Sequence, residues 1–590
     1  MVALYGTWRV ATAARAASAG KTALVRAQAR LEARDIGGAT ASLQDAHRDF
    51  RRARSQLDGL GPLLPLGRAV PFVRVQVRGT EAFVHAGELL ADAGLHITEA
   101  AGKVVEPDDP DVPVSGAAGS LRSVHAAMAK GIDALDQSID EVAELNGYRL
   151  IGPLADARAD LARRLPRARR QAGRAAGGLD AFLAFAGAEG PRRYLVFSQN
   201  PDEVRPTGGF IGTYGVIAAN ADGIALERFA GIEEWIRNPA HASAQVPPEE
   251  APTAFRIVEP GMPQRLANVN ATPDWPTAAR LATELWQRGG EEPVDGVLSF
   301  TPDALARLLA VLGPTEVPGF GETVSSGNLV ERVDFHTHRE PPEVTGDRKR
   351  FVTVAVGAVV DRLLRAPASQ WRGLAEALAV SFDAQEAMAW SADRRVATVL
   401  QGFGWDGSFL GADGDFVGVS EFEFAAKNGR GLRRTYDHHV QLRADGSARI
   451  TTSMTIENPL PFDPRYNLDS LSYVVLYGPR GAELAEGTDE TFAGEGTLAD
   501  HPSASWLLAA PPLGRDGAKV VWDAPEVAAR NGSDRMAYRL TWRHLPAHEG
   551  DRVRLRVDPP AGWRWAGARP PSVVSLDAVF SGTWRLERSS

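Results

Sequence analysis

Asp202, Glu203 and Arg205 fall within four consecutive residues of the stretch Asn200-Pro-Asp-Glu-Val-Arg-Pro-Thr-Gly-Gly-Phe-Ile-Gly-Thr-Tyr-Gly215. A guanidinium beside flexible, glycine-rich backbone suits phosphate or carboxylate, because its planar fork of N–H donors matches two oxygens at once. A second charged group stands at Gly346-Asp-Arg-Lys-Arg350. There the spacing predicts a helix over 349–365, apolar at Phe351, Val354, Ala355, Ala358 and Val359. Asp347 can cap that helix. Arg348 and Arg350 sit unfavourably at its positive end, which an anion bound there would explain.

The elements around the first group read as strands. Tyr194-Leu-Val-Phe197 is a short apolar run, Phe210 to Ala219 is a second, and Asn220-Ala-Asp-Gly223 turns the chain into a third over Ile224–Phe229. The charged loop therefore lies at a sheet end, where sites usually gather. A phosphate loop or dinucleotide fingerprint must open a helix, and here a strand follows. Gly208-Gly-x-x-Gly212 also lacks the first glycine of G-x-G-x-x-G. The glycines are explained by positive φ and a tight turn, which moves the weight to Arg205.

The 590 residues divide into three expected regions. Residues 1–187 read as a helical bundle, with stripes Leu43/Ala46/Phe50/Ala53/Leu57, Leu121 to Val142, and Leu161 to Phe182 kinked at Pro166. Arg163, Arg164, Arg167, Arg169, Arg170 and Arg174 form the outer face of the last helix, a solvated surface or an approach to anionic lipid. Residues 190–415 alternate strands and helices as a mixed α/β sandwich, with helices over 276–287 and, capped by Thr301-Pro-Asp303, up to Gly313-Pro314. Residues 418–590 alternate polar and apolar positions between Pro/Gly turns, as in a β-sandwich. The class is multidomain α+β. Trp506, Trp522, Trp542, Trp563, Trp565 and Trp584 could stack on sugar, but tryptophans in such strands are mostly core.

A net charge of −9 with no basic domain excludes a typical nucleic-acid binder. The absence of cysteine removes disulfides, zinc–thiolate sites and cysteine nucleophiles. His336 and His338, two apart, would share one strand face as a metal pair, yet no third ligand has clear spacing, so they read as surface or core histidines. His438-His439 has the same weakness, and no G-x-S-x-G elbow is present.

Tyr194-Leu-Val-Phe-Ser-Gln-Asn200 followed by Glu203-Val-Arg-Pro-Thr-Gly-Gly-Phe-Ile-Gly212 resembles the hallmark of a bacterial family, domain of unknown function 4012. Asp295-Gly-Val-Leu-Ser-Phe-Thr-Pro302, Gly313-Pro-Thr-Glu-Val-Pro318 and Lys427-Asn-Gly-x-Gly-Leu-x-Arg434 extend the likeness over roughly 20–480. It implies an extracytoplasmic, membrane-associated envelope protein, whose anchoring helix would lie upstream of the apolar-poor start Met1-Val-Ala-Leu-Tyr-Gly-Thr-Trp8. A soluble cytoplasmic variant is the alternative.

More remotely, residues 190–380 resemble the LytR-CpsA-Psr glycopolymer ligases in the order of their elements. That likeness implies a pocket for a polyprenyl-(pyro)phosphate-linked glycan. Arg205, Asp347 and Arg350 would be catalytic, Arg339, Arg348 and Arg228 would bind substrate, and Asp347 or Glu203 would hold Mg²⁺. The sequence departs from that group at Pro314, at Arg205-Pro-Thr207, where the aspartate expected beside the arginine is lost, and at a missing Pro-Arg-Asp motif. A binder on a decayed enzyme scaffold, or a non-catalytic structural or adaptor protein of the envelope, is the other expectation.

Overall fold

The computed structural model describes residues 2–33, 35–59, 71–105, 110–339, 349–424, 426–489, 494–548 and 550–589. Asp347 and Arg348 lie outside them. The chain is mixed α+β, with helices first, mixed sheets in the centre and strands last. It forms two compact units: Met1–Gly190 with Asn220–Gly223 and Pro367–Ser369, and the remainder.

The first unit is built from α1 (Val2–Glu32), α2 (Ile36–Asp58), α3 (Pro71–Val105), α4 (Ala117–Ala143) and α5 (Gly152–Phe185). Asp35 caps α2, its Oδ1 accepting from the Gly38 amide at 2.8 Å. Leu43, Ala46, Phe50 and Ala53 are buried, as their spacing predicts. A Cβ on Gly20 of α1 or Gly87 of α3 would collide with the Phe50 ring, so small residues let three helices close around one aromatic. Val124, Met128, Leu135 and Val142 are buried on α4. The last helix runs on through Pro166, burying Leu165 and Ala172, while Phe182 at the end of its stripe is 37% exposed. No described helix is long and apolar enough to cross a membrane.

In the second unit β1 (Arg192–Asn200) occupies the centre of a five-stranded sheet. Its neighbours are antiparallel β2 (Phe210–Asn220) and parallel β4 (Gly296–Phe300). The edges are β3 (Gly223–Gly231) and β5 (Ala387–Ser391). The apolar runs become buried strands, with Leu195, Phe197 and Val297 inaccessible to solvent. Helix α6 (Trp275–Arg288) packs Ala278, Ala282 and Leu285 into the same core and is capped by Asp274. Helix α7 (Pro302–Leu312) buries Leu305, Leu308, Leu309 and Leu312. Thr301 occupies its N-cap position without a side-chain cap bond, and Asp303 supplies the favourable charge in the first turn.

Beyond α8 (Leu329–Asp334), Phe335–Arg339 is a π-helical turn, not the strand on which His336 and His338 would share a face. His336 stacks on Phe351 of α9 (Arg350–Leu364) at 4.0 Å between centroids and its Nε2 lies 2.9 Å from Glu322 Oε1. Packing between helices therefore overrides the two-residue spacing.

Residues 415–588 form a six-stranded and an eight-stranded sheet whose inward residues share one hydrophobic cluster. Asp445-Gly446 makes the hairpin between Arg433–Leu442 and Ala448–Asn458, with Gly446 at φ +94°. Trp506, Trp522 and Trp542 are core, and Trp563, Trp565 and Trp584 pack against it partly buried.

Candidate functional site

Where β1 ends, the chain makes a compact loop before returning as β2. The Glu203 amide donates to Asn200 O at 3.1 Å, the Gly208 amide to Arg205 O at 3.0 Å, and the Phe210 amide to Glu203 O at 2.8 Å. Gly208 and Gly209 take φ of +109° and +138°, and a Cβ on Gly209 would collide with the Asn200 carbonyl. Asn270 Nδ2 donates to Gly209 O at 2.8 Å and to Gln199 Oε1 at 2.9 Å. The loop is thus held at both ends, and it cradles no phosphate on a helix N-terminus.

Arg205 turns inward. It is 6% exposed, and its Nη1 donates to Val204 O at 2.9 Å and to Glu423 O at 2.6 Å. The guanidinium lies 4.2 Å from the Phe422 ring centre and 5.3 Å from that of Phe210. Burial lowers its pKa below the usual guanidinium range, opposed by Glu203 and Glu423.

The two carboxylates of the loop reach for Lys427-Asn-Gly-Arg430. Glu203 Oε1 meets Lys427 Nζ at 3.0 Å. Asp202 accepts the Gly429 amide on its carbonyl at 3.0 Å, and its Oδ2 stands 3.3 Å from Arg430 Nε. Arg430 also holds Asp303 at the start of α7, Nη1 to Oδ1 at 2.8 Å and Nη2 to Oδ2 at 2.7 Å. A Cβ on Gly429 would strike the Pro201 carbonyl, so only glycine permits this approach. Five residues on, Arg434 pairs with Glu421 through Nε–Oε2 at 2.6 Å and Nη2–Oε1 at 3.0 Å, both side chains almost wholly buried. The result is a clasp of alternating charges joining the β1–β2 loop, α7 and the Lys427–Arg434 segment.

His338 extends the clasp. Its Nδ1 lies 3.0 Å from Asp334 Oδ1 and its Nε2 3.8 Å from Glu203 Oε1. Burial works against its charge, but Asp334 and Glu203 outweigh this and raise its pKa above 6.5. Burial likewise opposes ionisation of Glu203, yet His338, Lys427 and Arg205 hold it down at about 2. Asp202 goes the other way, because burial exceeds the help of Arg430.

The remaining residues expected in an arginine pocket are dispersed. Arg339 is half-exposed, its Nε on Asp334 Oδ2 at 2.7 Å and its guanidinium over Tyr466 at 4.9 Å. Arg350 is exposed at the start of α9, 5.6 Å from the Phe320 ring centre. Arg228 on β3 pairs with Glu291 at 3.1 Å and lies over Tyr214 and Trp286. Glu203 and Arg205 share a loop, and Arg339 joins them through Asp334 and His338. Arg228 belongs to another cluster. Asp347 and Arg348 are outside the described residues.

Asp202, Asp334 and His338 each bring a ligand-type atom within 4.8 Å of the others, but each is already engaged, by Arg430, by Arg339 and by Asp334 respectively. Mg²⁺ at Glu203 would have to displace Lys427 and face His338, so the donor set does not fit a hard cation without rearrangement. The residues that dominate the site and were not singled out as ligands are Asp202, Asp303, Asp334, Lys427 and Arg430. The charge-rich Lys427–Arg434 segment is the signal that points to them.

No curated protein matches this chain. Residues 189–335, which hold β1, the charged loop and the elements as far as α8, match the family described as "Protein of unknown function (DUF4012)".

Proposed function

We propose that this protein is a non-catalytic structural or adaptor protein of the bacterial cell envelope, lying outside the cytoplasmic membrane. In this reading its C-terminal strands are a β-sandwich accessory module and its helical bundle a membrane-proximal spacer. The observation that carries the reading is the pairing inside the clasp: Glu203 with Lys427, and Asp202 and Asp303 with Arg430. Phosphoryl transfer needs cations converging on an open site where charge can develop. Here Arg205 faces carbonyls and rings, and Arg228, Arg339 and Arg350 stand in separate surroundings. Extracytoplasmic placement rests on the family resemblance alone.

The test is binding of the full chain to vesicles containing a polyprenyl phosphate, with and without Mg²⁺, beside the Arg205→Ala variant. The expected result is no saturable binding and no phosphate release, with Arg205→Ala lowering the melting temperature. Saturable binding abolished by Arg339→Ala or Arg350→Ala would restore the polyprenyl-phosphate-linked glycan as ligand and overturn the adaptor reading.

A further inference from the structure

Behind the clasp lies a cavity of about 200 Å³, walled by Asp303, Glu386, Arg430, Arg434, His548 and Asp551. It is smaller than the roughly 300–1,000 Å³ of drug-sized pockets. It would hold roughly six or seven waters at about 30 Å³ each. Leu432 supplies one apolar wall.

The charges of this wall are neutralised locally. Arg430 is held by Asp202 and Asp303, Arg434 by Glu421, and Glu386 by Arg307 at 2.6 Å. A free anion would face the Asp303 and Glu386 carboxylates, and a free cation would face two guanidiniums. The cavity is suited to a ligand without net charge.

His548 makes the wall incomplete. It is 6% exposed, and its Nδ1 lies 3.0 Å from Pro546 O, so this nitrogen carries the proton. Its Nε2, on a side chain that lines the cavity, is then a bare acceptor, buried and without a hydrogen-bond partner among the described residues. An unmatched buried acceptor costs about 1–3 kcal/mol, so a donor brought to it is rewarded. Burial, with Arg434 nearby, holds the imidazole neutral by pushing its pKa down to about 3. On the same lining, burial pushes Asp551 up to about 7, so this carboxyl can itself donate below neutrality.

The lining thus alternates donors (Arg430, protonated Asp551) with acceptors (His548 Nε2, Asp303, Glu386). Hydroxyl groups both donate and accept, and several on one small frame would match this pattern. We propose that the cavity is a binding site for a neutral polyhydroxylated molecule of monosaccharide size. One hydroxyl donates to His548 Nε2, and others accept from the Arg430 hydrogens not engaged by Asp202 and Asp303. This inference stands independently of the adaptor reading and uses none of the residues that resemblance assigns to phosphate.

Calorimetric titration of the full chain with glucose, N-acetylglucosamine and myo-inositol, and separately with inorganic phosphate, tests it. At least one of the three polyols should bind at millimolar concentration or below and phosphate should not. His548→Phe should weaken that binding about tenfold, the worth of one hydrogen bond to a buried acceptor. If that variant does not fold, a crystal soaked with the bound polyol must show it within hydrogen-bonding distance of His548 Nε2. Binding by none of the three, preference for phosphate, unchanged binding in a folded His548→Phe variant, or a soaked polyol located elsewhere would each overturn the proposal.

Discussion

The helical unit and the clasp use the same charged side chains to opposite effect. Between helices, Arg78 and Glu144 meet at 2.7 Å with side chains 57% and 59% exposed, and His47–Asp92, His85–Glu141 and His125–Asp180 are also solvent-accessible bridges. Water screens such pairs, and each contributes about 0–1 kcal/mol. In the second unit Arg434 and Glu421 are 1% and 0% exposed. Their desolvation offsets much of their attraction, so the intact pair adds little net stability. Removing one partner is another matter, because it strands a charge where water cannot reach. The clasp therefore selects one arrangement of the chain, while the helical bridges decorate a bundle that alanine and glycine packing already determines.

The sharpest way to break this contrast is at Glu421. Glu421→Ala should cost the second unit about 3–5 kcal/mol, read by denaturant unfolding, whereas the double variant Glu421→Leu/Arg434→Met should regain most of that loss. A single-variant loss below about 1 kcal/mol would place the buried pair in the same class as the surface ones.

Acidification probes the same burial without mutation. His544 and His548 are held neutral, with pKa values pushed down by burial to about 4 and about 3 from 6.5. Between those values and 6.5 the unfolded chain binds more protons, so stability falls as pH falls from 6.5 towards 4. Asp551, raised to about 7 by burial, opposes this over the same window, since the folded state there holds the extra proton. His338 and Asp202, also raised in the folded state, oppose it too, so the histidine contribution is read by difference. His548→Phe should gain stability relative to the parent as pH falls from 6.5 towards 4, by up to a few kcal/mol in the free energy of unfolding. A difference that does not grow on acidification would contradict the assignment.

Gly209→Ala tests geometry instead of charge. Its φ of +138° and the collision with Asn200 O should cost about 1–3 kcal/mol and speed amide exchange in the β1–β2 loop. The neighbouring Gly212 has open space where a Cβ would go and should tolerate alanine. The smallest effect belongs to the bundle: Arg78→Ala should change its stability by no more than about 1 kcal/mol, and less in high salt. A larger change would mean that the helical bridges also select structure.

Much of this was legible from residue order. Tyr194–Phe197, Phe210–Ala219 and Ile224–Phe229 became β1 to β3 because buried apolar runs bounded by turn residues have few other solutions. The positive φ values of Gly208 and Gly209 follow from the strand that succeeds them. Partners were not legible. Glu203 and Lys427 are 224 residues apart, and periodicity states which face a side chain occupies but not what lies across it. For the same reason Arg205 could be recognised as unusual while its destination, between Phe210 and Phe422, could not be read. His336 and His338 misled because a two-residue interval suggests a strand, whereas contact with α9 and Glu322 stabilises a π-helical turn.

The steric demand at Gly429 reaches beyond local packing. Because its backbone comes within touching distance of Pro201, the segment recognised as the family domain, 189–335, ends well before the residues that complete its own loop. A chain cut near residue 415 would leave Asp202, Asp303 and Glu203 without Arg430 and Lys427, and Arg205 without Phe422 and the Glu423 carbonyl. The portable piece of this protein, for expression or for recombination between relatives, is therefore the whole stretch from about 190 to the C-terminal strands, and a fusion drawn at the family boundary would divide one folding unit.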